Sequence, residues 1–531
     1  MHLNRYIKYV PIFLLLSSAL LLRICDLGYS DYQGDEIKAL FIPDPGQSVS
    51  EFLLTQRKGP VQFFVTFLLK LLDPMYAHRF WMRVPFALAG TLSVLIFYKL
   101  LCLHYNKRVA LFSSLFFSFN GFFVAFSRII QYQSFVILFM LISLYFFSLS
   151  IKEKKWEIKG LYAGFIFWAL SILSHYDGIF IFPFAAYLLF IWLSDHRKSL
   201  KHLFLSAAIF LTLLLVFYVP FALSITPGTS SYWHGRLVGT GGKISSSTYL
   251  FSVYQPIYVI HFYILFGIIG GVLVLFESLL QTFLHKITNK TGRIANFLTK
   301  MEVNTSSGTG LLKNLGLLLW FFIPFLFLEV VVTLPGTHIY SYLIPVFIFL
   351  GLSLNTIERF FCKVLKSLSL RIVYTILTCV FFVFLFLQSY TIYANHKEEY
   401  PWEQEYFLLW ELPKPNHLYH LSMFGFPYFR NWDEIGNLIR TTAPAGTYYS
   451  TNERESIARY HIDLLKDTDL AGYYVYIRNP QSFTDEKISE KALYWIERYG
   501  PVFTFIKDGK EIASVYNMEP GKVEDLILKG F

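Results

Sequence analysis

The sequence predicts a mainly α-helical membrane protein that crosses the bilayer about eleven times and ends in a small α/β domain. Of its 531 residues, 55% are hydrophobic and 19% are aromatic, and most of the apolar residues are gathered in long runs. After about residue 394 these runs shorten to strand length. We therefore divide the chain into a membrane domain, 1–393, and a tail domain, 394–531.

The predicted spans are apolar stretches of about 17 to 27 residues, the length that a helix needs to cross a bilayer. Lys and Arg are concentrated in the loops that lie inside the cell if the N-terminus is cytoplasmic, as the positive-inside rule requires. An odd number of spans then leaves the tail domain outside a multi-pass protein of the cell membrane. The spans are 7–24, 84–101, 109–126, 134–151, 158–174, 178–194, 203–225, 257–283, 314–334, 338–354 and 371–393.

The charge distribution argues against a nucleic-acid partner. Residues 1–393 carry 31 Lys and Arg against 15 Asp and Glu, whereas residues 394–531 carry 15 against 21. The net charge of +10 therefore reflects membrane orientation. None of the four cysteines forms a CxxC pair, so neither a disulfide framework nor a zinc–cysteine site is predicted.

Two loops on the outer side differ in composition. The first, 26–83, mixes acidic, aromatic and basic residues and contains two amphipathic stretches, 51–54 and 61–72, which we expect to be helices on the membrane surface. The second, 226–256, is rich in Gly, Ser and Tyr, a composition typical of a mobile loop.

Short alternating runs in the tail domain predict strands near 447–450, 472–477, 502–506 and 512–516. Asp508-Gly509 lies between the last two runs and is a strong hairpin-turn signal. A helix is predicted over 485–499, where Ser482 and Asp485 have the spacing of a capping box.

The acidic pair Asp35-Glu36 follows the first span closely, in the first outer loop. A carboxylate at the membrane surface can act as a general base on an acceptor hydroxyl, although two acids in a wet loop are often only solvated. Lys58 and Arg83 lie in the same loop and can neutralise the phosphate of a lipid-linked donor. The same cations could instead bind lipid headgroups at the interface.

Further polar side chains occur in turns that the predicted topology places at the same end of the spans. A lone polar residue in a turn usually has no chemical role, but their convergence at one end favours a functional site. A divalent metal is possible, although a His/Asp pair supplies too few ligands unless Asp35 or Glu36 contributes. These side chains are Arg128, Tyr132, His175, Tyr176, Asp177, Glu329, His338 and Tyr340.

These landmarks, in this order, resemble the polytopic GT-C glycosyltransferases, and most of all their protein mannosyltransferase-like group, which includes aminoarabinose transferases and lipid-core sugar transferases. The resemblance covers about residues 1–355. Gly59 stands where the family usually has proline, and Gln131-Tyr132 replaces a more usual Arg-Pro-Tyr or Arg-Met-Asp. The matching pieces are Asp35-Glu36, Lys58 to Phe64, Arg83 to Gly90, Ser127-Arg128 with Tyr132, Leu173 to Tyr176, and His338 to Pro345.

The resemblance implies transfer of a sugar from a polyprenyl-phosphate donor to a hydroxyl of a lipid, glycan or protein, with inversion at the anomeric carbon. It implies that Asp35 is the general base and that no general acid is needed. Metal use varies among such enzymes. The remaining roles that it implies are stabilisation of the phosphate charge by Lys58, Arg83 and Arg128, and positioning of sugar or acceptor by Glu36, His175 and Tyr340.

Two other classes of protein stay open. A transporter or flippase would be expected to show internal repeats and charged residues near mid-membrane, whereas here no repeat is visible and the ionisable residues cluster at the outer ends. A membrane scaffold with a partner-binding tail domain would leave Asp35 without a function.

Overall fold

The structure is a computed structural model, and it describes the larger part of both domains. The described residues are 9–195, 200–238, 309–333, 336–363, 368–397, 427–444, 446–468, 470–481, 497–498 and 500–517, with single residues or short pieces between 263 and 276 and between 406 and 425.

Within the described residues, eight helices are long and apolar enough to cross a membrane, or nine if one bent pair forms a single span. This finding confirms a multi-pass helical architecture; α1 is shorter, and the predicted span 257–283 lies mostly outside the described residues. The helices are α1 (Val10–Ile24), α2 (Gly34–Ile37), α3 (Val49–Thr55), α4 (Val61–Leu72), α5 (Arg79–His104), α6 (Lys107–Phe119), α7 (Gly121–Ser127), α8 (Gln133–Lys152), α9 (Glu157–Ser174), α10 (Phe182–Asp195), α11 (Leu200–Leu223), α12 (Pro227–Val238), α13 (Thr309–Leu326), α14 (Tyr340–Lys363) and α15 (Leu368–Ser389).

The predicted span 109–126 is not one helix but the bent pair α6 and α7, which meet at an angle of 62°. Asn120 separates them: its Oδ1 accepts a hydrogen bond from the backbone N–H of Phe122 at 3.1 Å, so it caps the start of α7. An N-cap residue has non-helical backbone angles, and this ends the first helix. The turn after α7 contacts the first loop, since the backbone N–H of Ile130 donates to Glu36.

The first loop folds into three helices, and two of them coincide with its predicted amphipathic stretches. Ser48 caps α3 in a capping box with Glu51. In α4, Phe63 and Thr66 face the protein, whereas Leu71 and Leu72 are 65% and 82% exposed. An apolar face of this kind suits a helix lying on a membrane surface.

The tail domain contains a five-stranded mixed sheet in the order β4-β3-β5-β7-β6. The four predicted strands are found as β3, β5, β6 and β7; Asp508 and Gly509 both have positive φ, as a tight hairpin turn requires. The predicted helix 485–499 lies almost wholly outside the described residues. The elements are β1 (Tyr406–Phe407), β2 (Trp410–Glu411), α16 (Trp432–Thr442), β3 (Tyr448–Thr451), α17 (Glu455–His461), β4 (Leu465–Lys466), β5 (Ala471–Ile477), β6 (Phe503–Lys507) and β7 (Lys510–Asn517).

The tail domain is bonded directly to the first loop. The backbone N–H of Asp31 donates to the carbonyl of Tyr428 at 3.0 Å. In return, the carboxylate of Asp31 accepts from the backbone N–H of Arg430 at 2.7 Å. Arg79, at the start of α5, forms ion pairs with Asp31 and with Asp433 of α16. These contacts place the segment that begins α17 beside α2.

Candidate active site

A cavity of about 650 Å³ opens where the first loop meets the ends of the membrane helices. Its lining comes from the first loop, from the turns before α8 and α10, from α12, from the turn before α14 and from the tail domain. Of the residues predicted from the sequence, it is lined by Asp35, Lys58, Tyr132, His175, Tyr176 and His338.

Asp35 lies in α2, a single helical turn that begins after Gln33. The backbone N–H of Gln33 donates to Oε2 of Glu36 at 3.0 Å, which fixes the start of this turn. Successive residues of a helix point about 100° apart, and this geometry directs Asp35 toward the cavity, where its side chain is 33% exposed.

Glu36 is fully buried on another side of α2 and does not line the cavity. Both of its oxygens accept from Arg83, whose Nε and Nη2 each lie 2.8 Å away. Oε1 also accepts from the backbone N–H of Ile130 at 3.0 Å. Arg83 donates further to the carbonyls of Leu27, Ser30 and Asp31. This pair joins the first loop, α5 and the turn before α8.

Lys58 is joined to the backbone of Asp35 through one side chain. Its Nζ donates to Oε1 of Gln131 at 2.9 Å, and Nε2 of Gln131 donates to the carbonyl of Asp35 at 2.5 Å. Burial lowers the pKa of Lys58 to about 8, against the opposing effect of the Asp35 carboxylate. The next residue, Gly59, packs so closely that a Cβ there would lie 1.9 Å from the carbonyl oxygen of Leu173.

Arg128 lies outside the cavity lining. It is buried, and its Nη1 donates to the carbonyl of Leu22 at the end of α1, at 2.9 Å. Glu329, in the π-helical turn after α13, accepts from the hydroxyl of Tyr342 at 2.6 Å and likewise does not line the cavity. Among the predicted cations, Lys58 is therefore the one that the structure places at the cavity wall.

The wall of the cavity that carries His175 and His338, called the far wall below, is held in place by the buried Asp177. Its Oδ2 lies 2.6 Å from Nδ1 of His338 and accepts from the hydroxyl of Tyr340, also at 2.6 Å. Its Oδ1 lies 3.1 Å from Nδ1 of His175, and the His175 ring stacks on Tyr132 with centroids 4.1 Å apart. Asp177, Tyr340 and His175 are buried, and the two histidines line the cavity.

The same cluster has the composition of a metal site. Donor atoms of His175, Asp177 and His338 all lie within 4.8 Å of one another. Burial lowers the pKa of His175 to about 4, so its imidazole is neutral at pH 7, the form that binds a metal. Two imidazoles and a carboxylate suit a borderline cation such as Zn²⁺. The third potential ligand in this cluster is His338, whereas the sequence suggested Asp35 or Glu36.

The structure also brings to the cavity a residue that the sequence did not single out. Arg454, just before α17, lines the cavity, and its Nη2 lies 3.3 Å from Oδ1 of Asp35. Gly34 makes room for it, since a Cβ there would lie 2.6 Å from Oγ of Ser456 and 3.0 Å from Cδ of Arg454. Glu453 holds the segment in place by accepting from the hydroxyl of Tyr428. The tail domain therefore reaches the candidate base.

Two more cations, Arg57 and Arg236, line the cavity, and together with Lys58 they are called the rim below. Arg57 of the first loop lies over the ring of Tyr232 at 4.4 Å, and Arg236, one helical turn further along α12, lies 5.4 Å from the same ring. Both line the cavity together with Lys38. Arg57, Lys58 and Arg236 therefore surround one part of the cavity with positive charge.

Comparison with known protein families supports the resemblance to glycosyltransferases. Residues 58–221 match the family model of dolichyl-phosphate-mannose-protein mannosyltransferase. The match confirms the resemblance to the mannosyltransferase-like group of GT-C glycosyltransferases, and it supports glycosyltransferase activity in a membrane protein. No curated protein matches the chain.

Two solved structures are among those to which the chain is similar. ArnT from Cupriavidus metallidurans bound to undecaprenyl phosphate is 13% identical, with a TM-score of 0.49, over 96% of this chain and 98% of that one. The oligosaccharyltransferase AglB from Archaeoglobus fulgidus, in complex with an inhibitory peptide and a dolichol-phosphate, is 12% identical, with a TM-score of 0.48, over 97% of this chain and 75% of that one. Both TM-scores are below 0.5, so neither similarity establishes a fold or a substrate for this chain.

Proposed function

We propose that this protein is an integral membrane glycosyltransferase that moves a sugar from a polyprenyl-phosphate donor to an acceptor hydroxyl, with inversion, on the outer face of the cell membrane. The observation that carries the proposal is that a partly exposed carboxylate, Asp35, and a half-buried cation, Lys58, line one cavity and are joined through Gln131. The family match over residues 58–221 supports the reaction class.

In the proposed reaction the acceptor oxygen forms a bond to the anomeric carbon while the bond from that carbon to the phosphate oxygen breaks. Asp35 takes the acceptor proton, which makes the oxygen a better nucleophile. The electron pair of the broken bond stays on the phosphate. Because polyprenyl phosphate is a good leaving group, no residue is required to protonate it.

The cations of the rim have the complementary role. Lys58, Arg57 and Arg236 neutralise the charge that develops on the leaving phosphate, an interaction that strengthens in a partly dehydrated cavity. Lys58 is the best placed of them, because its hydrogen bond to Gln131 holds it at a fixed distance from the backbone of the base.

The far wall positions the donor sugar. The imidazoles of His175 and His338 face the cavity with their orientations fixed by Asp177, and the exposed ring of Tyr176 adds a surface for a sugar face. If a divalent cation binds, His175, Asp177 and His338 would hold it, and it would add positive charge beside the phosphate. Tyr132 supports this wall through its stacking on His175.

Glu36, Arg83 and Arg128 have a different place in this proposal from the one that the family resemblance implied. Glu36 and Arg83 satisfy each other in the protein interior, and Arg128 bonds to the carbonyl of Leu22. We propose that these three residues position the loop that carries Asp35, without touching either substrate.

The test compares wild-type protein with Asp35→Asn in sugar transfer from a mixed polyprenyl-phosphate-sugar extract to membrane acceptors. General-base catalysis is worth about 10²–10⁴-fold in rate, so the variant is expected to lose at least about 100-fold while unfolding at the same temperature as wild type. Glu51→Gln is the matched control, because it removes another acid of the first loop, one that is exposed and lies outside the cavity. Equal transfer by wild type and Asp35→Asn would refute the mechanism. Movement of donor lipid without transfer would favour a transporter.

A further inference from the structure

A second cavity, of about 1000 Å³, lies between the first loop and the tail domain. Lys38 and Gln56 line both cavities, so this second cavity, the interdomain cleft, adjoins the candidate active site beside α2. One wall consists of the first loop from Tyr32 to Arg79, and the other of α16 and α17.

The interdomain cleft is strongly basic. Lys38, Lys70, Arg79, Arg440 and Arg459 line it, against two carboxylates, Asp44 and Asp433. Arg79 is already neutralised by Asp31 and Asp433, and Arg440 lies 3.7 Å from Asp463.

Three of these cations form no ion pair in the part of the chain that the structure describes. Among the described residues, Lys38, Lys70 and Arg459 form no ion pair with a carboxylate. They come from both walls, since Lys38 and Lys70 belong to the first loop and Arg459 to α17. Lys38 is also attracted by the Asp35 carboxylate, beyond ion-pair distance. Cations that face one another across a cleft attract an anion.

The mouth of the interdomain cleft is apolar. Met75 lines it and is 79% exposed, and it follows directly on the exposed face of α4, where Leu71 and Leu72 are 65% and 82% exposed. Because this amphipathic face suits the surface of a membrane, the cleft opens at the level of the lipid headgroups.

We propose that the interdomain cleft binds the acceptor, and that the acceptor is an anionic saccharide, bearing phosphate or carboxylate, on a membrane lipid. The charge of the headgroup is bound by cations of both walls, its lipid part stays at the apolar mouth, and one hydroxyl reaches Asp35 past Lys38 and Gln56. This inference rests on the proposed function, because it assigns the acceptor of the same reaction.

The test is a binding measurement that needs no transfer. Full-length protein is reconstituted in phosphatidylcholine nanodiscs containing a photoactivatable phosphatidylinositol 4-phosphate, a lipid with a phosphorylated polyol headgroup. We expect crosslinks to residues of the cleft. Arg440→Ala/Arg459→Ala removes two exposed cations of the tail-domain wall, and charge-assisted contacts of this kind are strong, so crosslinking should fall at least about tenfold. Lys466→Ala/Lys510→Ala removes as much charge from the tail domain outside the cleft and should leave it unchanged.

Asp35→Asn separates this inference from the proposed mechanism, since it should abolish transfer and keep the crosslinks. Equal crosslinking of the two double variants would overturn the inference. Efficient competition by soluble inositol 1,4-bisphosphate would overturn its lipid-borne part, because a free anion would then suffice. Lys70→Ala, on the opposite wall, repeats the test in case the tail-domain double variant unfolds at a lower temperature.

Discussion

Asp35 and Glu36 are adjacent carboxylates in one short helix, yet their surroundings are opposite. Asp35 faces a cavity with a third of its side chain exposed and has a loose contact to Arg454. Glu36 is fully buried and accepts two hydrogen bonds from Arg83. The comparison teaches that one acidic motif can separate into a group that faces a cavity and a group that is buried to hold the surrounding elements together.

The largest expected effect of breaking this arrangement is on stability. Glu36→Gln leaves the Arg83 guanidinium buried without its counter-charge, and loss of one member of a buried ion pair costs about 3–5 kcal/mol. We expect a clear fall in the unfolding temperature of the purified protein, whereas Asp35→Asn should change it little.

A double variant sharpens this prediction. Glu36→Gln combined with Arg83→Met removes both charges, so it should be more stable than Glu36→Gln alone. If the double variant is instead the less stable of the two, the hydrogen bonds of Arg83 to the backbone carbonyls of the first loop outweigh the cost of the unpaired charge.

The next largest expected effect is a dependence of kcat/KM for the donor on pH. Lys58 has a pKa of about 8, so its protonated and neutral forms stand at about 10:1 at pH 7 and about 1:10 at pH 9. Because the donor phosphate needs the cation, kcat/KM for the donor should fall about tenfold between these values, since kcat/KM reports groups of the free enzyme.

Lys58→Arg provides the control, because a guanidinium stays charged in this range. Its pH profile should lose the descending limb above pH 8, whatever the absolute rate of the variant. A descending limb that is unchanged in Lys58→Arg would show that another group titrates.

A smaller effect is expected where the tail domain touches Asp35. The Arg454–Asp35 pair is about one-third exposed on both sides, and pairs of this kind contribute up to about 1 kcal/mol. Arg454→Ala should therefore alter the unfolding temperature little and reduce transfer only several-fold, with the change in KM for the acceptor rather than for the donor.

Gly34→Ala tests the same contact from the other side, since its Cβ would meet Ser456 and the stem of Arg454. The two variants should change KM for the acceptor in the same direction. A change confined to KM for the donor would contradict the proposed position of the acceptor.

Much of the fold could be predicted because hydropathy runs and alternation are local signals. The predicted span 109–126 is a bent pair of helices and not one straight helix, because one residue, Asn120, ends the first helix by capping the next. That signal was present in the sequence, since asparagine favours N-cap positions.

The candidate site could be predicted only in part, because burial and pairing depend on residues far apart in the sequence. The turns with His175 and His338 could be expected at one end of the spans. That Asp177 contacts both histidines depends on how two turns are packed, because Asp177 and His338 lie 161 residues apart in the sequence. Arg454 gave no local signal, because its contact with Asp35 spans 419 residues. The different surroundings of Asp35 and Glu36 likewise follow from what packs on each side of α2.

The most direct test of the central claim measures the transfer rate per folded molecule for Asp35→Asn and Glu36→Gln together, each corrected for its folded fraction. The account predicts that Asp35→Asn is well folded and at least about 100-fold slower, whereas the Glu36→Gln molecules that remain folded transfer within about tenfold of wild type, as for a residue that touches no substrate. A folded Asp35→Asn protein that transfers sugar at the wild-type rate would contradict it.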